Sequence, residues 1–137
     1  MLFVIARDNE CEELVEEKLV LCRDWFELLA RKSIGSKYVN AEWQFAKHLG
    51  DCAGCDPELI FLFIKSEYEY TSRVALQTMA ELKPECAERY AFDFWDCGKY
   101  PAGSSEDEYQ KIMALHVLAK LNSPRLEAYL ELSLIHI

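Results

Sequence analysis

Glu69-Tyr70-Thr71-Ser72-Arg73-Val74-Ala75-Leu76-Gln77-Thr78-Met79-Ala80-Glu81-Leu82 lies without gaps over Glu108-Tyr109-Gln110-Lys111-Ile112-Met113-Ala114-Leu115-His116-Val117-Leu118-Ala119-Lys120-Leu121, 39 positions further on. In the first copy Val74, Ala75, Met79 and Leu82 recur at steps of three and four, the period of one helix face. A proline, Pro84 or Pro124, follows each copy and introduces a new amphipathic stretch. Residues 41–49 fit more loosely at an offset of 34, which sets Ala41 over Ala75 and Ala46 over Ala80. Self-similarity at this period marks stacked helix pairs, in which each unit buries its apolar face against the next.

Outward from the repeat, the punctuation stays helical. Asp56-Pro57 reads as an N-cap and first-turn proline before the apolar run Leu59-Ile60-Phe61-Leu62-Phe63-Ile64. A helix so apolar must be covered on most of its sides. Further helices are expected over about 38–49, 70–82, 85–97 and 106–121, with a last one starting at Arg125-Leu126. Ahead of them, Cys11, Leu14, Val15, Leu21, Cys22, Trp25, Leu28 and Leu29 recur at helical steps. Asp8 or Asn9 is the expected cap, and Glu10, Glu12, Glu13, Glu16 and Glu17 are read as a solvated acidic face. Residues 1–37 are therefore expected to carry one long amphipathic helix leading the pairs.

The segment from Pro57 to Leu82, an apolar helix, an acidic turn and then Tyr-x-x-x-x-Ala-Leu-x-x-Met-Ala-x-Leu, resembles a HEAT repeat. The resemblance covers residues 38–131 and implies an all-α fold, an α-α superhelix of antiparallel helix pairs of the HEAT or armadillo-like kind. It departs from the pattern at the turn: Glu69 stands for the usual aspartate, Thr71-Ser72 for the usual Val-Arg pair, and Arg73 is displaced by one position, with Lys111 near it in the next repeat. The arginine–aspartate ladder of such proteins is correspondingly weakened.

Residues 132–137, Leu-Ser-Leu-Ile-His-Ile, are what CTG TCT CTT ATA CAC ATC encodes, which resembles a transposase end used in library preparation. They are read as a sequencing-adapter scar on a chain interrupted near Glu131, so His136 carries no functional weight.

Composition narrows the partners. With 24 acids against 15 bases the formal net charge is −9, and the bases are scattered, which argues against nucleic acid and anionic membrane. Apolar residues make up 51% of the chain, enough for a real core, and no stretch approaches the roughly 20 apolar residues of a membrane span. The opening Met1-Leu2-Phe3-Val4-Ile5-Ala6 is too short for a signal peptide, so Cys11, Cys22, Cys52, Cys55, Cys86 and Cys97 are expected to be reduced and the protein cytoplasmic.

Chemistry-bearing constellations are few. His48, Cys52 and Cys55 have zinc-ligand spacing but lack a second paired knuckle, a thioredoxin-like redox role needs the pair at a helix start after a strand, and loop cysteines are the plainer reading. A Cys-His pair using His48 or His116 has no local signature, and Asp93 and Asp96 look like an exposed face. No catalytic residue, cofactor or metal is expected. The repeat itself points to a surface: Trp43, Gln77 and His116 occupy equivalent places two residues past the aligned alanines, and Arg73, Glu81 and Lys120 extend the row. Aromatic and arginine side chains anchor interfaces, although Trp43 also reads as core against the first helix. The expected function is a non-enzymatic module that binds or scaffolds another protein. The alternatives are a helical-solenoid enzyme resembling DNA glycosylases, which needs a basic groove, and a zinc-stabilised interaction domain.

Overall fold

In the computed structural model, which describes residues 1–8, 14–96 and 98–135, every regular element is helical. The elements are α1 (Leu2–Arg7), α2 (Arg23–Ser33), α3 (Val39–His48), α4 (Ile60–Phe63), α5 (Glu69–Leu82), α6 (Pro84–Asp96), α7 (Ser105–Lys120) and α8 (Leu126–Ile135). Their starts follow the expected chemistry. Asp56 accepts a hydrogen bond from the Glu58 amide at 3.0 Å, opening a 3-10 turn, Pro57–Leu59, that leads into α4. At α7, Ser104 Oγ accepts from the Asp107 amide at 3.3 Å, satisfying a free donor of the first turn, while the buried Asp107 accepts from the Gly103 amide, just ahead of the cap, at 3.1 Å.

The helix α5 is the centre of the molecule, packed by α3, α4, α6 and α7. Its buried face carries Val74, Ala75, Leu76, Met79 and Ala80. The repeat register is visible in the burial: Thr71, Ala75, Thr78 and Met79 of α5 and their counterparts Gln110, Ala114, Val117 and Leu118 of α7 are all buried. Buried alanines at 41, 46, 75, 80 and 114 let the helix axes approach closely, while Phe26, Phe45 and Phe63 supply the bulk. The helices α3, α5 and α7 pack side by side. On the other side, Phe61 of α4 meets Tyr90 of α6 at 6.1 Å, and Phe92 and Trp95 of α6 both meet Tyr129 of α8 at 5.5 Å. Two layers of helices enclose one core, which is compatible with a helical repeat.

The N-terminal part differs from the expected single long helix. It is divided into α1, a π-helical turn at Leu14–Lys18, a 3-10 turn at Leu19–Leu21 and α2, with the chain extended at Cys22 (φ −121°, ψ 81°). Geometry explains the division. A straight helix over residues 11–32 would run about 33 Å, against about 15 Å for the ten residues of α3. Folding the segment lets Ile5, Val15, Phe26, Leu29 and Ala30 all reach the core. It also turns Leu21, Cys22, Trp25 and Leu28 out to solvent, contrary to the expected apolar stripe; Trp25 is 59% exposed. The acids Glu16 and Glu17 are exposed as expected, whereas Asn9, Glu10, Cys11, Glu12 and Glu13 lie outside the described residues, as do Cys97 and His136. Leu132–Ile135, read as adapter, continue α8.

Candidate protein-binding face

Along α3, α5 and α7 the side chains at the helix starts interlock. Trp43 donates through Nε1 to Asn40 at 3.1 Å and sets its ring edge-on to Tyr70, with centroids 5.3 Å apart. Lys47 lies 5.9 Å from the Trp43 centroid. The Arg73 guanidinium is held between two rings, 4.9 Å from Tyr70 and 4.7 Å from Tyr109. Its Nε also lies 3.0 and 3.1 Å from the two oxygens of Glu69, one turn back on α5. The chain of contacts Trp43–Tyr70–Arg73–Tyr109 therefore crosses three helices without a break. An arginine serves this place better than a lysine, because its flat cation stacks on two rings while its edge pairs a carboxylate.

Beneath this row, Gln110 Nε2 of α7 donates to Ser72 Oγ at 3.2 Å and to the Glu69 carbonyl at 3.4 Å. Ser72 in turn donates to the same carbonyl at 2.9 Å. Further along, Lys120 pairs with Glu81 at 3.1 Å between exposed side chains. Tyr70 and Tyr109 remain 44% and 47% exposed, and Gln77 and His116 are exposed on the same two helices. The face thus offers aromatic edges, one partly shielded arginine and a polar flank.

The expected row is only partly realised. Arg73, Gln77, His116 and Lys120 lie on α5 and α7 as placed, with Lys120 committed to Glu81. Trp43 is buried, at 6% exposure, and is not level with Gln77. Trp43 meets Tyr70 as Arg73 meets Tyr109, so contact equates Trp43 with Arg73, an offset of 30. The preceding turns agree: Ser36 accepts from the Tyr38 amide and Ser66 from the Tyr68 amide, each at 3.2 Å. Matching alanines gives an offset of 34. Tyr70 and Tyr109 are absent from the expected row, although they are superposed in the alignment that defines the repeat.

Cys52 and Cys55 are joined in a disulfide, which corrects the expectation that both are reduced and leaves neither as a thiolate for zinc. His48 is buried with Nδ1 2.9 Å from Asp51. Asp93 and Asp96 are exposed, and Asp96 accepts from the Tyr129 hydroxyl at 3.1 Å. A cavity of about 190 Å³ between α5, α6 and α7 is lined by Ile64, Ser72, Tyr90, Phe94, Tyr100 and Gln110 among others. Burial, with the charge of Glu69 adding to it, pushes the Tyr100 phenol up, so this hydroxyl stays protonated. Among the described residues no helix is long and apolar enough to cross a membrane, and no group of three His, Cys, Asp or Glu is placed to hold a metal.

Comparison with protein-family models, curated proteins and solved structures returned no match.

Proposed function

We propose that the chain is a non-enzymatic module of HEAT-like helix pairs, arranged as an α-α superhelix, that binds another protein through the face formed by α3, α5 and α7. The observation that carries this reading is the unbroken row Trp43–Tyr70–Arg73–Tyr109, whose two tyrosines are half exposed while their inner faces clamp an arginine. Rigid aromatics held in place by neighbours lose little entropy when a partner covers them, which is why such residues dominate interface energetics. The formal charge of −9 disfavours a nucleic-acid partner, because few phosphate counterions could be displaced.

The test is retention of partners on immobilised protein, compared between the unaltered chain and two variants. Tyr109→Ala is expected to lower retention of a specific partner about tenfold or more, the loss of one central anchor. Arg89→Ala, on the exposed side of α6, is expected to leave it unchanged. Equal retention by the Tyr109 variant, with loss in the Arg89 variant, would move the binding face to the opposite layer.

A further inference from the structure

Cys52-Ala53-Gly54-Cys55 closes as a tight turn between the end of α3 and the start of the 3-10 turn that precedes α4. The Cys55 amide donates to the Cys52 carbonyl at 3.2 Å, and Gly54 takes φ +78° at the third position. These are the marks of a type II turn, whose third residue needs the left-handed backbone that glycine adopts without strain. The turn holds the two α-carbons 5.7 Å apart, inside the range a disulfide requires. The two cysteines are separated by only two residues in a tight turn, so closing the bond between them costs little loop entropy.

The surroundings separate the two sulfurs by role. Cys52 is buried at 4% exposure, while Cys55 is half-buried and reachable. Arg23, at the start of α2, lays its side chain on Gly54: a β-carbon there would lie 3.4 Å from Arg23 Cδ and 3.7 Å from Nη1. The far side of the turn is fixed to α2, because the Asp56 amide donates to Glu27 at 2.8 Å and Arg31 lies 3.6 Å from the Asp56 carboxylate.

We infer that Cys52 and Cys55 form a reversible thiol–disulfide exchange site, with a low-molecular-weight or protein dithiol as its co-reactant. This stands independently of the protein-binding reading. A thiolate of the dithiol attacks Cys55 Sγ and forms a mixed disulfide. The Cys52–Cys55 bond breaks, its electron pair goes to Cys52 Sγ, and Cys52 takes up a proton. The second thiol of the reductant then attacks its own sulfur in the mixed disulfide, expelling Cys55 as a thiolate that is protonated in turn. Two electrons and two protons pass to the protein, and the dithiol leaves as a cyclic disulfide.

The experiment equilibrates the purified full chain in buffers of graded reduced to oxidised dithiothreitol, quenches with acid, alkylates and maps the peptides. Cys52 and Cys55 are expected to switch together in one two-electron transition, with Cys22 and Cys86, both free thiols, labelled throughout. Gly54→Ala is expected to shift the balance about tenfold toward the dithiol, since only the oxidised loop is compelled to keep the left-handed backbone. Far-ultraviolet circular dichroism on the same samples checks that the variant is folded. The inference is overturned if both cysteines alkylate at every poise, if both resist the dithiol in the folded chain, or if either pairs with another cysteine instead.

Discussion

Glu42 shows what one buried side chain does to stability. It sits on α3 with no exposed surface, and its Oε2 accepts from the Gly35 amide at 3.3 Å. Burial pushes its carboxyl above the ordinary value of 4.5, against the opposing hydrogen bonds of Ser66 and Gly35. A raised acid holds its proton longer in the folded state than in the unfolded one. The contribution of this group to stability is therefore fully present below about pH 4.5 and is lost as pH rises through its folded value. Glu42→Gln keeps the acceptor for Gly35 without a charge to bury. It is expected to raise stability by about 1–3 kcal/mol at pH 8 and to change it little at pH 4, read from urea unfolding at both values. A variant less stable than the parent at pH 8 would mean that the charge itself is satisfied in the fold. Nothing in the sequence marks Glu42 as buried, since a lone glutamate in an amphipathic stretch reads as surface. Tyr70 and Tyr109 were legible as a superposed pair, but their partner was not: that Arg73 lies between them depends on how far α5 and α7 are staggered.

At the level of elements, the starts of the helices were the most legible feature, because local chemistry decides them. Asp56-Pro57 and Lys83-Pro84 act within a turn of the residues they cap or stop, whereas Ser104 reads as loop and caps α7 in the structure. The division of the N-terminal segment was not legible, because it follows from the length of α3 and not from any helix breaker between Leu14 and Leu29. Matching alanines without their turns misplaces the register by four residues, and puts Trp43 beside Gln77 when contact puts it with Arg73. The last element shows how a helix is attached by one anchor. Tyr129 is buried between Phe92 and Trp95, bonds Asp96, and has Arg125 5.6 Å from its ring. Tyr129→Ala is expected to cost about 3–5 kcal/mol and Tyr129→Phe only about 1 kcal/mol, measured by denaturant unfolding. An alanine variant as stable as the parent would mean that α8 is not held by this ring.

Over the whole molecule, the all-helical class followed from the repeat and from the sparse, clustered glycines and prolines, and the two layers of helices agree with it. The candidate face was legible only in outline, since a repeat shows which helices are equivalent but not which side chains meet between them. The pairing of Cys52 with Cys55 was hidden for a different reason: spacing permits both a metal and a disulfide, and only the turn around Gly54 decides. The central claim is that the layer of α3, α5 and α7 is where another protein is held. Its most direct test places a photo-crosslinking benzophenone residue at Gln77 in one variant and at Arg89 of α6 in another, and compares their adducts with a retained partner. The account predicts a discrete adduct from position 77, lost when Tyr109→Ala is added, and none from position 89. An adduct from position 89 alone would contradict it.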